Sequence, residues 1–315
     1  MFNAEKFIEK TVPKLREEIQ GKALIAFSGG VDSTVCTALV NNAICKQLIA
    51  VHIDTGYMRK NESRNVEKMM KDIGLNYRFI DASKEYYKSL KDVEDPEKKR
   101  KIIGEKFIRL FEQEAEKEKI DYLIQGTIAP DWIESGDELR DTIKSHHNVG
   151  GLPENMKMKL VEPLRDLYKD EVRKVARELK LSISEKQPFP GPGLAVRIIG
   201  AATPERTELV REACYIVEEE IEKAVEKKLM EMPWQYFAVL IPVKTVGVQG
   251  DKRAYGNTIA IRAVQSIDAM TCTYSKIPHD VLEKISIRIT NTLGKKITRI
   301  VYDITNKPPG TVEWE

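Results

Sequence analysis

Short apolar runs alternate with longer amphipathic segments through the first half of the chain. The runs have the length of buried strands and lie at residues 23–27, 48–53, 77–80 and 122–125. The amphipathic segments place apolar residues at helical spacing and lie at residues 4–19, 62–73 and 96–118, with a further helical stretch that ends near residue 45. Strands that alternate with helices of this length predict βαβ units, so we expect an α/β fold with a doubly wound parallel sheet.

The second half of the chain has a different pattern. A cluster of proline and glycine at residues 187–193 marks a domain boundary. The elements beyond it are one long charged helix and separate β-type runs, at residues 205–230, 237–243, 258–263 and 299–304. We therefore predict two domains: residues 1–190 with the parallel sheet, and residues 191–315 with an α+β fold.

Residues 131–151 interrupt the alternation with a polar, glycine-containing stretch that is too long for a simple connection. Loops of this length inside compact domains are usually functional or disordered. We interpret the stretch as a lid that belongs to the first domain. It carries Lys144, His146 and His147, whose side chains can meet phosphate charge or exchange protons.

The composition, with 42% hydrophobic and 32% charged residues, is that of an ordinary globular protein. No apolar stretch approaches the ~18–20 residues that cross a membrane, and the charged N-terminus lacks a secretory pattern, so we expect a cytoplasmic protein. A net charge of +2 gives no support for a nucleic-acid surface. The four cysteines form no paired or clustered ligand pattern, which argues against structural zinc and a disulfide framework.

The first predicted strand is followed at once by residues 28–33, which read SGGVDS, and then by a helix. Two glycines allow backbone N–H groups to approach an anion closely. Two serines add hydroxyl donors, and the helix presents its free N–H groups and the positive end of its dipole. The carboxylate of Asp32 has the wrong charge for phosphate, which indicates a Mg²⁺ bridge. The string predicts a phosphate-binding loop.

The same residue types also suit a tight strand-to-helix turn in which Ser or Asp caps the helix, and that interpretation requires no ligand. The loop is not a Walker loop, because that motif needs G-x-x-x-x-G-K-[ST] with a lysine for the β- and γ-phosphates. Here Val31, Asp32 and Ser33 follow the glycine pair. The string resembles the pyrophosphatase loop of the N-type ATP pyrophosphatase family, whose members cleave ATP between the α- and β-phosphates.

Further unusual strings lie at residues 54–56, 99–104, 125–127, 142–151, 162–166, 188–197, 246–251 and 307–315. They are distributed along nearly the whole chain, and they resemble GMP synthase. The resemblance implies that ATP adenylates XMP with release of pyrophosphate, and that ammonia then displaces AMP to give GMP. This chemistry is sensible, because the oxygen at purine C2 is a poor leaving group until it carries AMP. Catalysis would consist mainly of charge neutralisation and positioning.

The resemblance also implies roles for individual residues. The expected ATP-binding residues are Ser28, Gly29, Gly30, Val31, Asp32, Ser33, Thr34, Asp54 and Gly126, with Asp32 also the Mg²⁺ ligand. The expected XMP-binding residues are Arg100, Gln249, Asp251, Lys307 and Glu313. The expected catalytic residues are Asp32, Lys144, His146 and His147. Two alternatives stay open: the histidines act as a general base or only contact phosphate or solvent, and Lys144 is catalytic or a solvated surface lysine.

The resemblance implies a homodimer through the second domain, and ammonia that a glutamine amidotransferase supplies. None of the four cysteines has a glycine neighbour, as the nucleophile of such a glutaminase would, so we expect that activity in a separate subunit. We expect neither nucleic acid nor a membrane as a partner. The alternatives are another adenylating enzyme and a nucleotide-binding regulator or RNA-binding module without catalysis. Of the adenylating enzymes, a tRNA-modifying thiolase would need paired cysteines, and NAD synthetase would lack the tail at residues 307–315.

Overall fold

The structure, a computed structural model, describes residues 2–130, 158–181, 187–266 and 269–315, and of Gln249 the backbone alone. The chain divides into two compact units. The first contains Met1–Asp54, Ser63–Asp81 and Glu105–Lys186, and the second contains Thr55–Glu62, Ala82–Gly104 and Gln187–Glu315. The domain boundary between residues 190 and 191 stays a prediction.

The helices and strands of the described residues are numbered here in chain order. The helices are α1 (Ala4–Glu18), α2 (Val31–Ile44), α3 (Glu62–Asp72), α4 (Ser83–Ser89), α5 (Pro96–Glu118), α6 (Lys169–Glu178), α7 (Pro204–Glu226) and α8 (His279–Leu293). The strands are β1 (Ala23–Ala26), β2 (Leu48–Asp54), β3 (Tyr77–Asp81), β4 (Tyr122–Ile124), β5 (Lys159–Val161), β6 (Gln235–Gln249), β7 (Lys252–Gln265), β8 (Thr273–Tyr274) and β9 (Ile297–Asp303). None of these described helices combines the length and the apolarity that crossing a membrane requires.

The first unit is built on a five-stranded parallel sheet with the strand order β3-β2-β1-β4-β5. Consecutive positions of β2 are buried, so both faces of the sheet are covered. The predicted doubly wound parallel sheet is confirmed. Since β2 and β4 flank β1, the strand order reverses there, and ligands of such sheets bind beyond the carboxyl ends of the strands at that reversal.

The second unit is built on a four-stranded sheet. Strands β6 and β7 form a long antiparallel hairpin, whose turn residues Gly250 and Asp251 have φ values of 55° and 58°. Two successive positive φ angles are typical of a tight hairpin turn. Strand β9 runs parallel to β7, α7 packs on β6, and α8 packs on α7. The α+β fold predicted for the second half of the chain is confirmed.

Candidate active site

The phosphate loop follows β1 and ends where α2 begins. The hydroxyl oxygens of Ser28 and Ser33 lie 2.9 Å apart, and the Gly30 amide donates to Oγ of Ser28 over 3.3 Å. The Gly30 carbonyl accepts from Oγ of Ser33 at 3.1 Å and from Oγ1 of Thr34 at 2.7 Å. These bonds fold the loop over the first turn of α2, whose N–H groups have no acceptor within the helix. The arrangement suits a phosphate group.

Gly29 allows the loop to turn, because its φ of +75° lies in the left-handed region. A Cβ atom on Gly29 would lie 2.6 Å from Cγ2 of Val66 on α3. We expect Gly29→Ala to lower the free energy of unfolding by about 1–2 kcal/mol and to raise the KM for ATP, because the loop has to move away from Val66. Thermal unfolding and ATP-dependent kinetics measure the two effects.

A second glycine provides the control for that substitution. Gly74 has a φ of +74°, and a Cβ atom on it would meet nothing within 4 Å. Gly74→Ala should therefore lower the free energy of unfolding only through the positive φ angle. The KM for ATP should stay at its wild-type value. A Gly29→Ala protein with an unchanged KM for ATP would contradict the assignment of the loop.

Asp32 lies in the first turn of α2 and pairs with a lysine that the sequence did not single out. Nζ of Lys169, the first residue of α6, lies 2.5 Å from Oδ2 of Asp32. The backbone N–H of Tyr168 donates to the Glu171 carboxylate over 2.9 Å, which fixes the start of α6. The other oxygen of Asp32, Oδ1, is buried and has no hydrogen-bond partner among the described residues. That oxygen is suited to ligate a cation.

The carboxyl ends of two neighbouring strands flank this loop. Gly126 follows β4, and a Cβ atom on it would lie 3.5 Å from the carbonyl of Asp32 and 3.6 Å from the amide nitrogen of Ser33. Asp54 ends β2, the strand on the other side of β1. The structure therefore gathers all residues expected to bind ATP at the strand-order reversal of the first unit.

Lys144, His146 and His147 lie outside the described residues, so their roles stay predictions. Within the described ranges, no three His, Cys, Asp or Glu side chains are grouped to hold a metal ion. Mg²⁺ needs no such group, because it commonly binds one or two carboxylates together with phosphate and water oxygens. The buried Oδ1 of Asp32 fits that mode of binding.

Arg100 and Lys307, two of the residues expected to bind XMP, belong to the second unit. Nη2 of Arg100, on α5, donates to the backbone oxygen of Glu315. Nζ of Lys307 donates to the carbonyl of Ala269 over 2.8 Å, and its backbone pairs with that of Cys272. Lys307 is thus part of the tail at residues 307–315, and Arg100 contacts that tail.

Glu313, in the same tail, is held by partners that the sequence pattern did not identify. Its carboxylate accepts hydrogen bonds of 3.1 and 2.8 Å from Arg197 and one of 2.9 Å from Nε2 of Gln235. Arg197 is fully buried, with its guanidinium 4.0 Å from the centre of the Phe237 ring. The sequence contained one indication that Arg197 is a buried partner: this charged residue interrupts the apolar run at residues 194–199.

Gln249 and Asp251 lie at the turn of the β6–β7 hairpin. The tail contacts the other end of β7, where Nη2 of Arg262 donates to the carbonyl of Thr311 over 2.8 Å. The stretch of β7 from Lys252 to Arg262 is about 33 Å long at about 3.3 Å per residue. Of the residues expected to bind XMP, Gln249 and Asp251 therefore lie at one end of β7. The tail, which contains Lys307 and Glu313, contacts the other end.

Two family models match the chain. The model described as GMP synthase C terminal domain matches residues 219–314. The model described as Queuosine biosynthesis protein QueC matches residues 22–187, which contain the parallel sheet and the phosphate loop. The two matches together include the phosphate loop and residues 307–314 of the tail.

Relatives of nearly equal length decide the family. A subunit of a GMP synthase (glutamine-hydrolyzing) from Thermoplasma acidophilum is 55% identical over 309 residues, which are 98% of each chain. The corresponding GMP synthase (glutamine-hydrolyzing) subunit from Thermococcus kodakarensis is 56% identical over 99% of each chain. This chain belongs to the GMP synthase family.

Membership in the GMP synthase family confirms the resemblance seen in the sequence and the predicted enzyme class, a ligase that uses ATP. Because these relatives are each named as one subunit of the enzyme, a further subunit is implied for them. A GMP synthase (glutamine-hydrolyzing) from Thermotoga petrophila is 52% identical over 98% of this chain but only 62% of its own length. In that GMP synthase, the region that aligns with this chain is therefore part of a longer protein.

Proposed function

We propose that this chain is the ATP-pyrophosphatase subunit of a GMP synthase and converts XMP, ATP and ammonia into GMP, AMP and pyrophosphate. The oxygen at C2 of XMP attacks the α-phosphorus of ATP, and pyrophosphate leaves. Ammonia then adds to C2, AMP leaves with the oxygen, and one proton is released. One observation carries the proposal: a loop whose geometry suits a phosphate group lies at the strand-order reversal, in a chain that matches GMP synthase subunits over 98% of its length.

The phosphate loop binds the β- and γ-phosphates, which become the leaving pyrophosphate. The hydroxyl groups of Ser28 and Ser33 and the N–H groups of the first turn of α2 face the phosphate oxygens. Oδ1 of Asp32 ligates Mg²⁺, which supplies positive charge to the phosphates when it is bound. We keep the catalytic assignment that the family resemblance implies for three further residues, Lys144, His146 and His147.

Lys169 takes the place of the missing Walker lysine. Its ammonium lies beside Asp32 at the start of α2 but comes from α6, and its side chain is 48% exposed, so it can reach a bound phosphate. We expect Lys169→Met to lower the kcat for XMP-dependent pyrophosphate release by about 10²-fold, because a positive charge is lost where negative charge develops. Steady-state kinetics at saturating ATP measure this loss.

Lys174 is the matched control on the same helix. Its side chain is 43% exposed and pairs with Asp170 at 3.3 Å. Lys174→Met removes the same charge further along α6, and we expect wild-type kcat for it. Wild-type kcat in Lys169→Met would rule out the phosphate role of Lys169.

A second copy of the chain completes the XMP site. The hairpin exposes four large apolar side chains, Val243, Val246, Val248 and Tyr255, which are 52%, 49%, 73% and 64% exposed. Val246 and Tyr255 pair directly across the strands, so they form one apolar surface that a protein partner would cover. Within one copy, the length of β7 keeps the turn with Gln249 and Asp251 away from the tail. In a homodimer through this unit, the turn of one copy reaches the tail of the other.

Ammonia comes from a separate glutamine amidotransferase subunit. The thiols of Cys36 and Cys214 are buried, and burial raises the pKa of both. A glutaminase nucleophile has to form a thiolate, so these two thiols do not hydrolyse glutamine. Cys45 and Cys272 lack the glycine neighbours of such a nucleophile. We place the complex in the cytoplasm, with neither nucleic acid nor a membrane as a partner.

The adenylation step can be tested without ammonia. Labelled pyrophosphate should enter ATP only when XMP and Mg²⁺ are both present, because the step is reversible while the adenylate stays bound. Exchange that is independent of XMP would indicate another acceptor of AMP. Absence of exchange under all conditions would favour the alternative of a nucleotide-binding regulator.

A further inference from the structure

The tail at residues 307–315 rests on cations that are completely buried. Lys99, Arg197 and Arg262 each have a side chain that is 0% exposed. Lys99 comes from α5, Arg262 comes from β7, and Arg197 lies in the segment before α7. Each of them binds a group of the tail or of the chain that leads to it. The tail is therefore tied to three separate parts of the second unit.

Lys99 is the buried cation on α5, and its ammonium group has three acceptors. Its Nζ donates to the carboxylate of Glu315, to the Ile198 carbonyl over 2.7 Å and to the Ala195 carbonyl over 3.3 Å. The other carboxylate oxygen of Glu315 accepts from the backbone N–H of Gly200 over 3.1 Å. All three protons of the ammonium have an acceptor, so the geometry around Lys99 is fully determined.

A buried ion pair contributes little to the stability of a fold, because desolvation of the two charges offsets their attraction. Burial lowers the pKa of Lys99, and the attraction of Glu315 opposes that shift. A methionine of similar length would fill the same position on α5 without desolvation of a charge. The pair of Lys99 and Glu315 therefore needs an explanation other than stability.

The neighbour of Lys99 on α5 supplies that explanation. Arg100, one of the residues assigned to XMP, donates to the backbone oxygen of Glu315. Lys99 and Arg100 thus bind the side chain and the backbone of the same tail residue. Glu313, also assigned to XMP, lies two positions before that residue. The ion pair fixes the separation between two parts of the XMP site.

We propose that Lys99 is a positioning residue for XMP, because its ion pair with Glu315 sets Arg100 and the tail in the arrangement that receives the purine mononucleotide. The inference rests on the proposed function and adds Lys99 and Glu315, neither of which touches the substrate. Without the pair, the groups that contact XMP remain, but their separation varies. Binding of XMP weakens, whereas the KM for ATP stays the same.

The double variant Lys99→Met with Glu315→Gln removes both charges at nearly constant volume. We expect its melting temperature to stay close to that of the wild type. The Kd for XMP from calorimetry and the KM for XMP should both rise about 10- to 100-fold, with an unchanged KM for ATP. Lys98→Met, at the exposed position one residue earlier on α5, is the matched control and should change none of these values.

An unchanged Kd for XMP in the double variant would overturn the proposal, and so would an equal rise of the KM values for XMP and ATP. If the double variant is unstable, Glu315→Gln alone, which keeps the shape of the side chain, is judged by the same criteria. Because the Kd requires no turnover, a wild-type protein that binds XMP without forming GMP would contradict the proposed function and still test the role of Lys99. A wild-type protein that does not bind XMP would overturn both.

Discussion

Asp32→Asn is expected to lower XMP-dependent release of pyrophosphate by about 10²- to 10³-fold, with little change in melting temperature. The buried Oδ1 of Asp32 is the oxygen assigned to Mg²⁺, and asparagine keeps its shape but loses its charge. The fold should tolerate the change, because Lys169, the partner of Asp32, is half exposed and can be solvated by water. Steady-state kinetics across a range of Mg²⁺ concentrations measure the loss.

Asp170→Asn is the matched control for this variant. Asp170 also lies at the start of a helix and pairs with a lysine, but its side chain is 68% exposed. We expect normal turnover from Asp170→Asn. Turnover of Asp32→Asn close to that of the wild type would contradict the proposed role of Asp32 in binding the metal and the phosphates.

A heterodimer of two inactive variants is expected to recover about half of the wild-type activity. One copy carries Asp251→Ala at the hairpin turn, and the other carries Lys307→Ala in the tail. If each XMP site combines the turn of one copy with the tail of the other, one of the two sites contains neither substitution. Each variant alone should lose about 10²-fold in XMP-dependent turnover.

Co-expression with two different tags allows the heterodimer to be purified and assayed. Two homodimers, each with one variant, are the controls, because in them every site carries a substitution. A heterodimer as inactive as the homodimers would show that the turn does not reach the tail of a second copy. A wild-type chain that sediments as a monomer at assay concentration would contradict the dimer itself.

Four of the five strands of the parallel sheet, β1 to β4, could be predicted to within one residue. β1 was expected at residues 23–27 and spans Ala23–Ala26, and β2 was expected at 48–53 and spans Leu48–Asp54. A strand that is buried on both faces has a continuous apolar run, and the polar or glycine residues that follow it mark its end. The phosphate loop was visible for the same reason, because it follows such a strand directly.

The distal part of the hairpin could not be predicted from its pattern. β6 was expected to end at residue 243 and extends to Gln249, and β7 begins at Lys252, before the expected residue 258. Glycines interrupt the β-type sequence pattern of these strands. Glycine is required there because one face of the hairpin is crowded: a Cβ atom on Gly256 would lie 2.8 Å from Cγ2 of Thr298. Helix α8 and the short edge strand β5 were not predicted either.

The roles of the two newly assigned lysines could not be predicted, although Lys99 begins one of the strings that resemble GMP synthase. Lys169 and Lys99 both lie in charged helical segments, where most lysines are solvated. Their partners are remote, since Lys169 and Asp32 are 137 positions apart, and Lys99 and Glu315 are 216 apart. Local spacing carries no information about such contacts, and only the folded chain reveals which lysine meets a carboxylate.

The most direct test of the proposed function is complete turnover in the absence of a glutaminase. The purified chain is incubated with XMP, ATP, Mg²⁺ and ammonium, and GMP, AMP and pyrophosphate are quantified by chromatography. We predict that all three products form in equal amounts and that none forms when XMP is omitted. ATP cleavage without GMP at saturating ammonium, or cleavage to ADP and phosphate, would contradict the proposed function.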